Sequence, residues 1–244
     1  AKNGARSNPT GNRCELFRGI ALVCMVACIL TGCGPSYHWS KAHPLYRQVP
    51  YSTLSITGTS NAFILTRSKW FAKKLEVAPE SAQVQLTSFS RQAFLDEMKR
   101  AYPALQEIPD TAVLKFPEES QKLDDKVFIK GHFPEQGVSV KDAQGNIPPY
   151  ILIVHEFIIG TDINREVFYD YDLIRQESAE KKTSKNLSVI LSYTLWDNEN
   201  QRPLFSAVDE IQRPIVKLTT EDLRAAAAEA AKKIRINLYE GVQK

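Results

Sequence analysis

Adjacent imidazole and carboxylate groups occur at His155 and Glu156, inside the apolar run YILIVHEFIIG. A titratable pair in a buried strand is a candidate for acid–base chemistry, because burial can shift pKa values toward catalytic use. Neighbouring residues of a regular strand, however, point to opposite faces of the sheet. We therefore expect no local acid–base pair here and interpret both residues as structural polar groups of a buried strand.

Possible metal ligands are scattered along the chain. His38 and His43, together with Asp170 or Asp172, offer nitrogen and oxygen ligands, but their spacing matches no standard zinc pattern. The acidic stretch 197–200, Asp-Asn-Glu-Asn, lacks the glycine that a calcium loop needs, so we interpret it as a hairpin turn. The sequence predicts no metal site.

A nucleophile pattern is present but incomplete. Residues 178–181, Ser-Ala-Glu-Lys, match the Ser-x-x-Lys motif of penicillin-binding proteins, whereas the Ser-Asp-Asn and Lys-Thr-Gly motifs of that set are absent. No Gly-x-Ser-x-Gly, phosphate-binding loop or dinucleotide fingerprint occurs either. We therefore predict no catalytic residue, no cofactor and no enzymatic activity.

Cys33 is the residue with the clearest chemistry. It follows an apolar run of 11 residues, Ile20 to Leu30, and a leader that carries four basic residues and one acidic residue. The run is too short to cross a bilayer, which takes about 20 residues, and the layout is that of a secretory signal. The order Leu30-Thr31-Gly32-Cys33 resembles the lipobox of bacterial lipoproteins.

This resemblance implies a lipid anchor. In that family the Cys33 thiol receives a diacylglyceryl group, cleavage follows between Gly32 and Cys33, and the new amino group is acylated. Two or three acyl chains hold a protein stably on a membrane, whereas one chain binds reversibly. Gly34 rather than Asp follows the cysteine, which favours the outer membrane with the protein facing the periplasm.

Cysteine usage and charge support an exported protein. All four cysteines lie at or before position 33, so the mature body has no disulfide. After residues 1–32 are removed, 212 residues remain (244 − 32), and their 27 basic and 27 acidic residues give zero net charge. A nucleic-acid partner would require a surplus of basic residues, so we expect none.

The predicted organisation is a signal peptide at 1–32, a lipidated tether at 33–51 and a single domain at 52–244. The tether assignment rests on three prolines and the absence of clear periodicity in residues 34–51. Tyr37, Trp39 and Tyr46 fit either the headgroup interface of the membrane or packing back onto the body, and we favour packing back. Residues 52–66 predict a first hairpin around Gly58 and Asn61.

The first half of the domain predicts mixed elements. Ala82–Phe89 alternates like a strand, and Ser90 opens a helix that Pro103 stops. Residues 105–148 contain short apolar runs broken by prolines and glycines, which predicts short strands and loops. The run at 150–160 is the most apolar of the mature chain and predicts a central strand covered on both faces.

The second half predicts a hairpin and a helix. LSVILSYTLW, residues 187–196, alternates like a half-buried strand, and PLFSAVDEIQ, residues 203–212, returns as its partner. Thr219 and Asp222 form a capping-box pattern at the start of the last helix. One face of that helix is apolar and rich in alanine: Leu223, Ala227, Ala230, Ile234 and Leu238.

The order of elements over residues 82–240 resembles periplasmic lipoprotein domains such as the amino-terminal domain of the TolB family and the curli-secretion lipoprotein. That resemblance implies an α/β (α+β) fold with a mixed, mainly antiparallel sheet and helices packed on it. It also implies a structural, assembly or accessory role at the cell envelope, through contacts with a protein partner.

Two other function classes stay open. A small-molecule or glycan binding module would need a concave pocket lined by aromatic residues, for which the sequence offers Phe157, Tyr169, Tyr171 and Trp196. A hydrolase would need a nucleophile and a base that meet in space, and a polar cleft around His155 would favour it. The exposed apolar patch of a protein-binding surface would favour the accessory role.

Overall fold

The computed structural model describes residues 38–46, 54–123, 126–135, 137–161 and 186–240. The predicted signal peptide, the lipobox and residues 162–185 lie outside these ranges. The strands are β1 His38–Ala42, β2 Leu54–Thr57, β3 Phe63–Leu65, β4 Gln106–Glu107, β5 Glu118–Leu123, β6 Lys126–His132, β7 Tyr150–Thr161, β8 Asn186–Asp197 and β9 Arg202–Pro214. The helices are α1 Ser68–Leu75, α2 Pro79–Ala101, α3 Thr111–Leu114 and α4 Thr220–Glu240.

Seven of the strands form one mixed sheet in the order β1-β9-β8-β7-β2-β4, with β3 also paired to β7. The pairs β1–β9, β9–β8 and β8–β7 are antiparallel, while β2 and β3 run parallel to β7 and β4 runs parallel to β2. β5 and β6 form a separate antiparallel hairpin. The predicted α+β fold with a mixed, mainly antiparallel sheet is confirmed.

The central position predicted for residues 150–160 is confirmed, because β7 lies between β8 and the pair β2 and β3. The prediction of a first hairpin around Gly58 and Asn61 is wrong. β2 pairs with residues 150–153 and β3 with residues 157–159, so both strands run along the same edge of β7 and do not pair with each other. The turn between β2 and β3 therefore joins two strands that run in the same direction.

The strand predicted over Ala82–Phe89 is also wrong, because these residues lie within the 23-residue helix α2. Its buried positions Ala82, Leu86, Ser90 and Phe94 recur every four residues, which is helical spacing. Val84, read as an inward strand residue, is 69% exposed. Pro79 stands at the start of the helix, where proline is favoured. The predicted end before Pro103 is confirmed.

The capping box of α4 is confirmed. The Asp222 carboxylate accepts hydrogen bonds from the Thr219 N–H at 2.8 Å and from the Thr219 hydroxyl at 2.7 Å. The predicted apolar face is buried in the main core, which lies between the helices and one face of the sheet. No helix in the described ranges is long and apolar enough to cross a bilayer.

β8 is buried on both faces, although its alternation predicted a half-buried strand. Leu187, Val189, Leu191, Tyr193 and Leu195 belong to the main core. The alternate residues are also buried, including Ser188, Ser192 and Thr194 at 0% exposure. We call the side of the sheet that they occupy the polar face. Ile129 and Phe133 of the β5–β6 region pack on this face against Ile158, Ile190 and Val208.

The tether predicted over 33–51 does not hold for the part of it that the structure describes. β1 is an edge strand in which His38 pairs with Asp209 and Ala42 with Phe205 of β9. The Tyr46 ring stacks on Phe205 at 5.3 Å, and its hydroxyl donates to the Leu238 carbonyl at 2.9 Å. Residues 38–46 therefore belong to the folded body, and the expected packing of Tyr46 is confirmed.

Candidate functional site

A β-bulge places His155 and Glu156 on the same face of the sheet. Val154 pairs with Tyr193 and Glu156 with the next residue of β8, Ser192, so His155 is the extra residue. Val154 and Phe157 both enter the main core, although residues three apart in a regular strand would face opposite sides. The expectation that His155 and Glu156 point to opposite faces is therefore wrong.

Both residues line a cavity of about 200 Å³ on the polar face. We call it the His155 cavity. Its wall comes from the β2–β3 turn, α3, β5, β6 and β7. The titratable residues that line it are Asp110, Glu118, Lys130, His132, His155 and Glu156. The Lys130 ammonium lies 3.2 Å from a Glu118 carboxylate oxygen, so one charged pair stands at the wall.

His155 is held from three sides. Its Nε2 lies 3.0 Å from the Thr194 hydroxyl, which in turn lies 3.0 Å from the Ser206 hydroxyl. The ring of Phe133 packs beside the imidazole at 4.6 Å between centroids. Gly131 covers it from β6, and a Cβ at Gly131 would overlap His155 Nδ1. The imidazole therefore has a fixed orientation between β8 and the β5–β6 hairpin.

Burial lowers the pKa of His155 from 6.5 to about 3, and the nearby His132 adds to this effect by charge repulsion. The neutral ring is thus the form that the fold holds. His132 Nδ1 lies 2.6 Å from the Phe116 carbonyl, which requires a proton on that nitrogen. A neutral His155 ring is a hydrogen-bonding group, and a pKa near 3 makes it a weak base at neutral pH.

Asp110 fastens the β2–β3 turn at the cavity wall. Its carboxylate accepts hydrogen bonds from the N–H groups of Gly58 at 3.0 Å, Ser60 at 2.8 Å and Asn61 at 3.0 Å. Successive backbone N–H groups form an anion-binding concavity, which Asp110 occupies from within the chain. Gly58 has φ +84° and a Cβ there would overlap the Val154 carbonyl, so this turn requires glycine.

Sequence reasoning missed Asp110. The signal available was a Pro109-Asp110-Thr111 sequence before a short apolar stretch, which resembles a helix start. Asp110 does stand at the amino end of α3, but its side chain makes no cap there. The bonding partners in the β2–β3 turn are about 50 residues away in sequence, and no local pattern specifies them.

The predicted turn at 197–200 is confirmed as the β8–β9 connection. The Asp197 carboxylate accepts hydrogen bonds from the Asn200 N–H at 2.9 Å and from its side-chain amide at 2.8 Å. Asn198 instead points inward at 0% exposure. Its amide donates to the Val140 and Pro148 carbonyls at 2.8 Å each and accepts from the Val140 N–H at 2.8 Å, which holds the 137–149 segment.

The hydroxyl groups beside His155 are poorly placed for nucleophilic attack. Thr194 is 0% exposed and its oxygen already contacts both His155 and Ser206. A nucleophile must reach a substrate carbon while its base takes the proton. The cavity around His155 is polar, as the hydrolase alternative requires, but its hydroxyl partner is enclosed in the sheet.

The other predicted site residues do not come together in the described ranges. His43 accepts a hydrogen bond from the Leu45 N–H, and no cluster of three metal-ligating side chains occurs among the residues that the structure describes. Asp170, Asp172 and the Ser-x-x-Lys motif lie within residues 162–185, outside those ranges, as do Gly32 and Cys33.

The aromatic residues proposed for a ligand pocket are also divided. Phe157 lies in the main core on the helix side, stacked on Phe63 at 4.2 Å. Trp196 lies on the polar face, packed with Ile151 and Ile153. Tyr169 and Tyr171 fall outside the described ranges. The described members of this set therefore line no common pocket.

Comparison with known proteins gives distant structural similarity. No protein-family model matches the chain, and no curated protein matches its sequence. The chain is similar to a PelC dodecamer from Paraburkholderia phytofirmans, with a TM-score of 0.40, 10% identity, and coverage of 83% of this chain and 96% of that one. A PelC variant dodecamer from the same organism gives a TM-score of 0.37 at 10% identity, covering 80% and 94%.

Proposed function

We propose that this chain is a lipid-anchored protein of the cell envelope that acts through protein contacts and not through catalysis. The observation that carries the proposal is the order Leu30-Thr31-Gly32-Cys33 at the end of an apolar run, directly before the folded body. We place the anchor in the outer membrane, facing the periplasm, because Gly34 and not Asp follows Cys33.

The position of β1 supports this proposal. His38 already pairs with β9, and only five residues of chain separate it from Cys33 (38 − 33). A chain of that length spans at most about 18 Å when fully extended. An anchor at Cys33 would therefore hold the body against the membrane surface, close to partners in the same membrane.

The chemistry of the His155 cavity supports a role without catalysis. Three backbone N–H groups bind the Asp110 carboxylate, and the pKa of His155 near 3 leaves it neutral. Thr194, the hydroxyl next to the imidazole, is enclosed. Polar groups that bond to one another and to turns position loops, and a neutral imidazole of this pKa is a weak base at neutral pH.

A binding module for a small molecule is the second class, and the size of the cavity bears on it. Drug-sized ligands occupy pockets of roughly 300–1,000 Å³. The His155 cavity holds about 200 Å³, but a cavity beside Phe133 and Trp196 holds about 440 Å³ and one beside Pro44 and Phe205 about 340 Å³. Phe157 lies on the opposite face of the sheet from Trp196 and lines neither of them. Protein contacts stay the first proposal because the lipobox order carries it, and these two larger cavities are where a small ligand would bind.

The first experiment compares the native chain with Cys33→Ala by intact mass and membrane fractionation. Native protein is expected as a 212-residue chain (244 − 32) that begins at Cys33, carries added acyl mass and sediments with the outer membrane. Cys33→Ala should lose the acyl mass and the cleavage, because the thiol is the acceptor of the lipid.

Cys28→Ala is the matched control, since it removes a nearby thiol that processing would discard. It should give the same mature mass as the native chain. Unprocessed native protein in the soluble fraction would sink the lipid-anchor proposal. Crosslinking the anchored protein in its membrane then tests for a protein partner, and repeated failure to capture one above the Cys33→Ala background would count against the accessory role.

A further inference from the structure

One end of the sheet gathers the ends of β3, β7 and β9 and the start of β8. Leu65 lies opposite Ile159 and Asn186 opposite Pro214 there, whereas β1 begins midway along β9, where His38 lies opposite Asp209. We call this the Pro214 end, and the end with the β8–β9 turn the Asn198 end. Helix α1 follows β3 at the Pro214 end, where the Arg67 guanidinium donates to the Thr161 hydroxyl at 3.0 Å.

The short chain before β1 limits how far an anchor at Cys33 can lie from the start of that strand. Cys33 stands five positions before His38 (38 − 33), and a chain of that length spans at most about 18 Å. Pro214 stands five positions beyond Asp209, the partner of His38, which is about 17 Å along a strand. The Pro214 end is therefore within reach of a membrane that holds the chain at Cys33.

The surface of α1 suits an anionic lipid surface. Its eight residues, SKWFAKKL, contain three lysines and no acidic residue. Lys69, Lys73 and Lys74 are exposed, while Phe71 and Ala72 on the inner side are buried. None of the three lysines forms an ion pair within the part of the chain that the structure describes.

An aromatic and an apolar residue occur at the same end of the sheet, one on α1 and one after β9. Trp70 is half-buried on α1, with the Arg67 guanidinium 5.7 Å from its ring centroid. Val216, in the loop between β9 and α4, is fully exposed at 108%, and Lys217 follows it. Tryptophan and basic residues around exposed apolar groups are the composition of membrane-interface surfaces.

The Asn198 end differs in charge arrangement. There Lys99 pairs with Glu107 at 2.8 Å, and Arg100 pairs with Glu97 at 2.8 Å. The segment 67–80 has four basic residues against Glu76 and Glu80, a net charge of +2. The cations of α1 are therefore available to an outside anion, whereas those at the end of α2 are already paired within the chain.

We propose that the Pro214 end docks onto an anionic phospholipid surface, with the α1 lysines at the phosphate groups and Val216 in the headgroup region. This proposal rests on the proposed lipid anchor at Cys33. Each lysine near an anionic surface contributes to the attraction, so removing three charges should shift the ratio of docked to undocked protein by about 100-fold, and reversing them should shift it further. Docking would fix which side of the body faces partners.

The test uses the full chain, processed and lipidated, reconstituted in vesicles. The mature sequence has no cysteine besides Cys33, so Val216→Cys gives a single site for a fluorescent label. Ile147→Cys, exposed at 49% near the Asn198 end, is the matched label position. A lipid-attached quencher is added to vesicles of phosphatidylcholine, or of phosphatidylcholine with phosphatidylglycerol. Quenching should be strong at residue 216, weak at residue 147, and stronger with phosphatidylglycerol.

Charge variants separate electrostatic docking from simple tethering. Changing Lys69, Lys73 and Lys74 to Glu should reduce quenching at residue 216 in phosphatidylglycerol vesicles to the level in neutral vesicles. Changing Lys99, Arg100 and Lys141, which lie towards the Asn198 end, to Glu alters the charge equally and should leave quenching unchanged. Far-UV circular dichroism of each variant checks that the fold is kept.

The outcomes distinguish the two proposals. Acylated protein with equal quenching at residues 216 and 147, or with no response to phosphatidylglycerol, would overturn the docking surface and leave the anchor standing. Stronger quenching at residue 147 would show that the opposite end faces the lipid. Protein without acyl mass, identified by mass spectrometry before reconstitution, would overturn the anchor and the docking geometry together.

Discussion

Asn198 is the side chain through which the β8–β9 turn holds the irregular segment 137–149. It is fully buried, and its amide makes three hydrogen bonds to Val140 and Pro148. Leaving a buried backbone N–H and two carbonyls unpaired costs about 1–3 kcal/mol per group before water enters. We predict that Asn198→Ala lowers the free energy of unfolding by about 3 kcal/mol, measured by urea denaturation.

Glu199→Ala is the control for this prediction, because the neighbouring side chain is exposed. It should change the free energy of unfolding by less than about 0.5 kcal/mol. A loss below about 1 kcal/mol for Asn198→Ala would mean that the 137–149 segment does not depend on this amide. Asn198→Asp, which sets a buried carboxylate against the Val140 and Pro148 carbonyls, should lose at least as much as Asn198→Ala.

The residue scale also shows where sequence reasoning stops. The types of His155 and Glu156 marked one or both as buried polar residues, and this is confirmed, because Glu156 is buried at 6% exposure and His155 is half-buried. Their shared face was not foreseeable, because it depends on one unpaired residue in the β7–β8 register. A bulge adds no residue type that a sequence pattern would display. The cavity that both residues line follows from that irregularity.

Among the secondary-structure elements, β1 is the one whose absence from the prediction has the largest consequence. Residues 38–46 were predicted as tether, since prolines and aromatic residues obscure the strand pattern of HWSKA. We predict slow hydrogen exchange for the alternate amides of residues 38–43 that face β9, because they bond to that strand and the His43 N–H donates to the Leu204 carbonyl at 2.8 Å. Hydrogen-exchange mass spectrometry of the full chain measures this directly.

Tyr46 provides the variant for this measurement. Its ring packs on Phe205 and its hydroxyl bonds to the end of α4, so Tyr46→Ala should speed exchange over residues 38–43 by about tenfold or more. Leu45→Ala, at an exposed neighbour, should leave it unchanged. Exchange at the rate of an unstructured peptide in the native chain would restore the tether interpretation.

Elements with a strong local pattern were predictable and those with an ambiguous pattern were not. β7, the β8–β9 hairpin and α4 carry long apolar periods or a capping box, and all three are confirmed. In the first part of α2, Val84 and Leu86 alternate with polar residues. Over only eight residues, this pattern fits the two-residue period of a strand as well as the 3.6-residue period of a helix. The whole segment that follows Pro79 indicates a helix, because its buried residues recur every four positions.

The whole molecule consists of a sheet with two unlike faces. One face buries the main core under the helices, and the polar face carries Ser188, Ser192, Thr194 and Ser206 beneath the β5–β6 hairpin. Sequence alternation predicted that these hydroxyls face water. The β5–β6 hairpin, residues 118–132, covers this face. The sequence around β8 does not predict this cover, because Ile129 and Phe133 are far from β8 along the chain.

His155 couples this two-faced architecture to pH. The folded protein holds a neutral imidazole whose pKa is about 3, whereas an unfolded histidine takes up a proton below about pH 6.5. The unfolded state therefore binds more protons between these values, and stability falls as pH falls through that window. From about pH 7 to about pH 4.5 the loss from this residue is on the order of 2 kcal/mol.

His155→Asn should remove this part of the pH dependence. Urea midpoints measured at about pH 7 and pH 4.5 should differ less in His155→Asn than in the native chain, whatever the variant does to stability at neutral pH. His43→Asn, a substitution near the exposed edge strand, should keep the native difference. Because His155 lies between Gly131 and Thr194, protonation should loosen the β5–β6 hairpin first, and hydrogen exchange over residues 126–132 should rise on acidification before β8 and β9 respond. Equal pH dependence in the native chain and in His155→Asn would show that other groups carry it and that the hairpin is not held by the neutral ring.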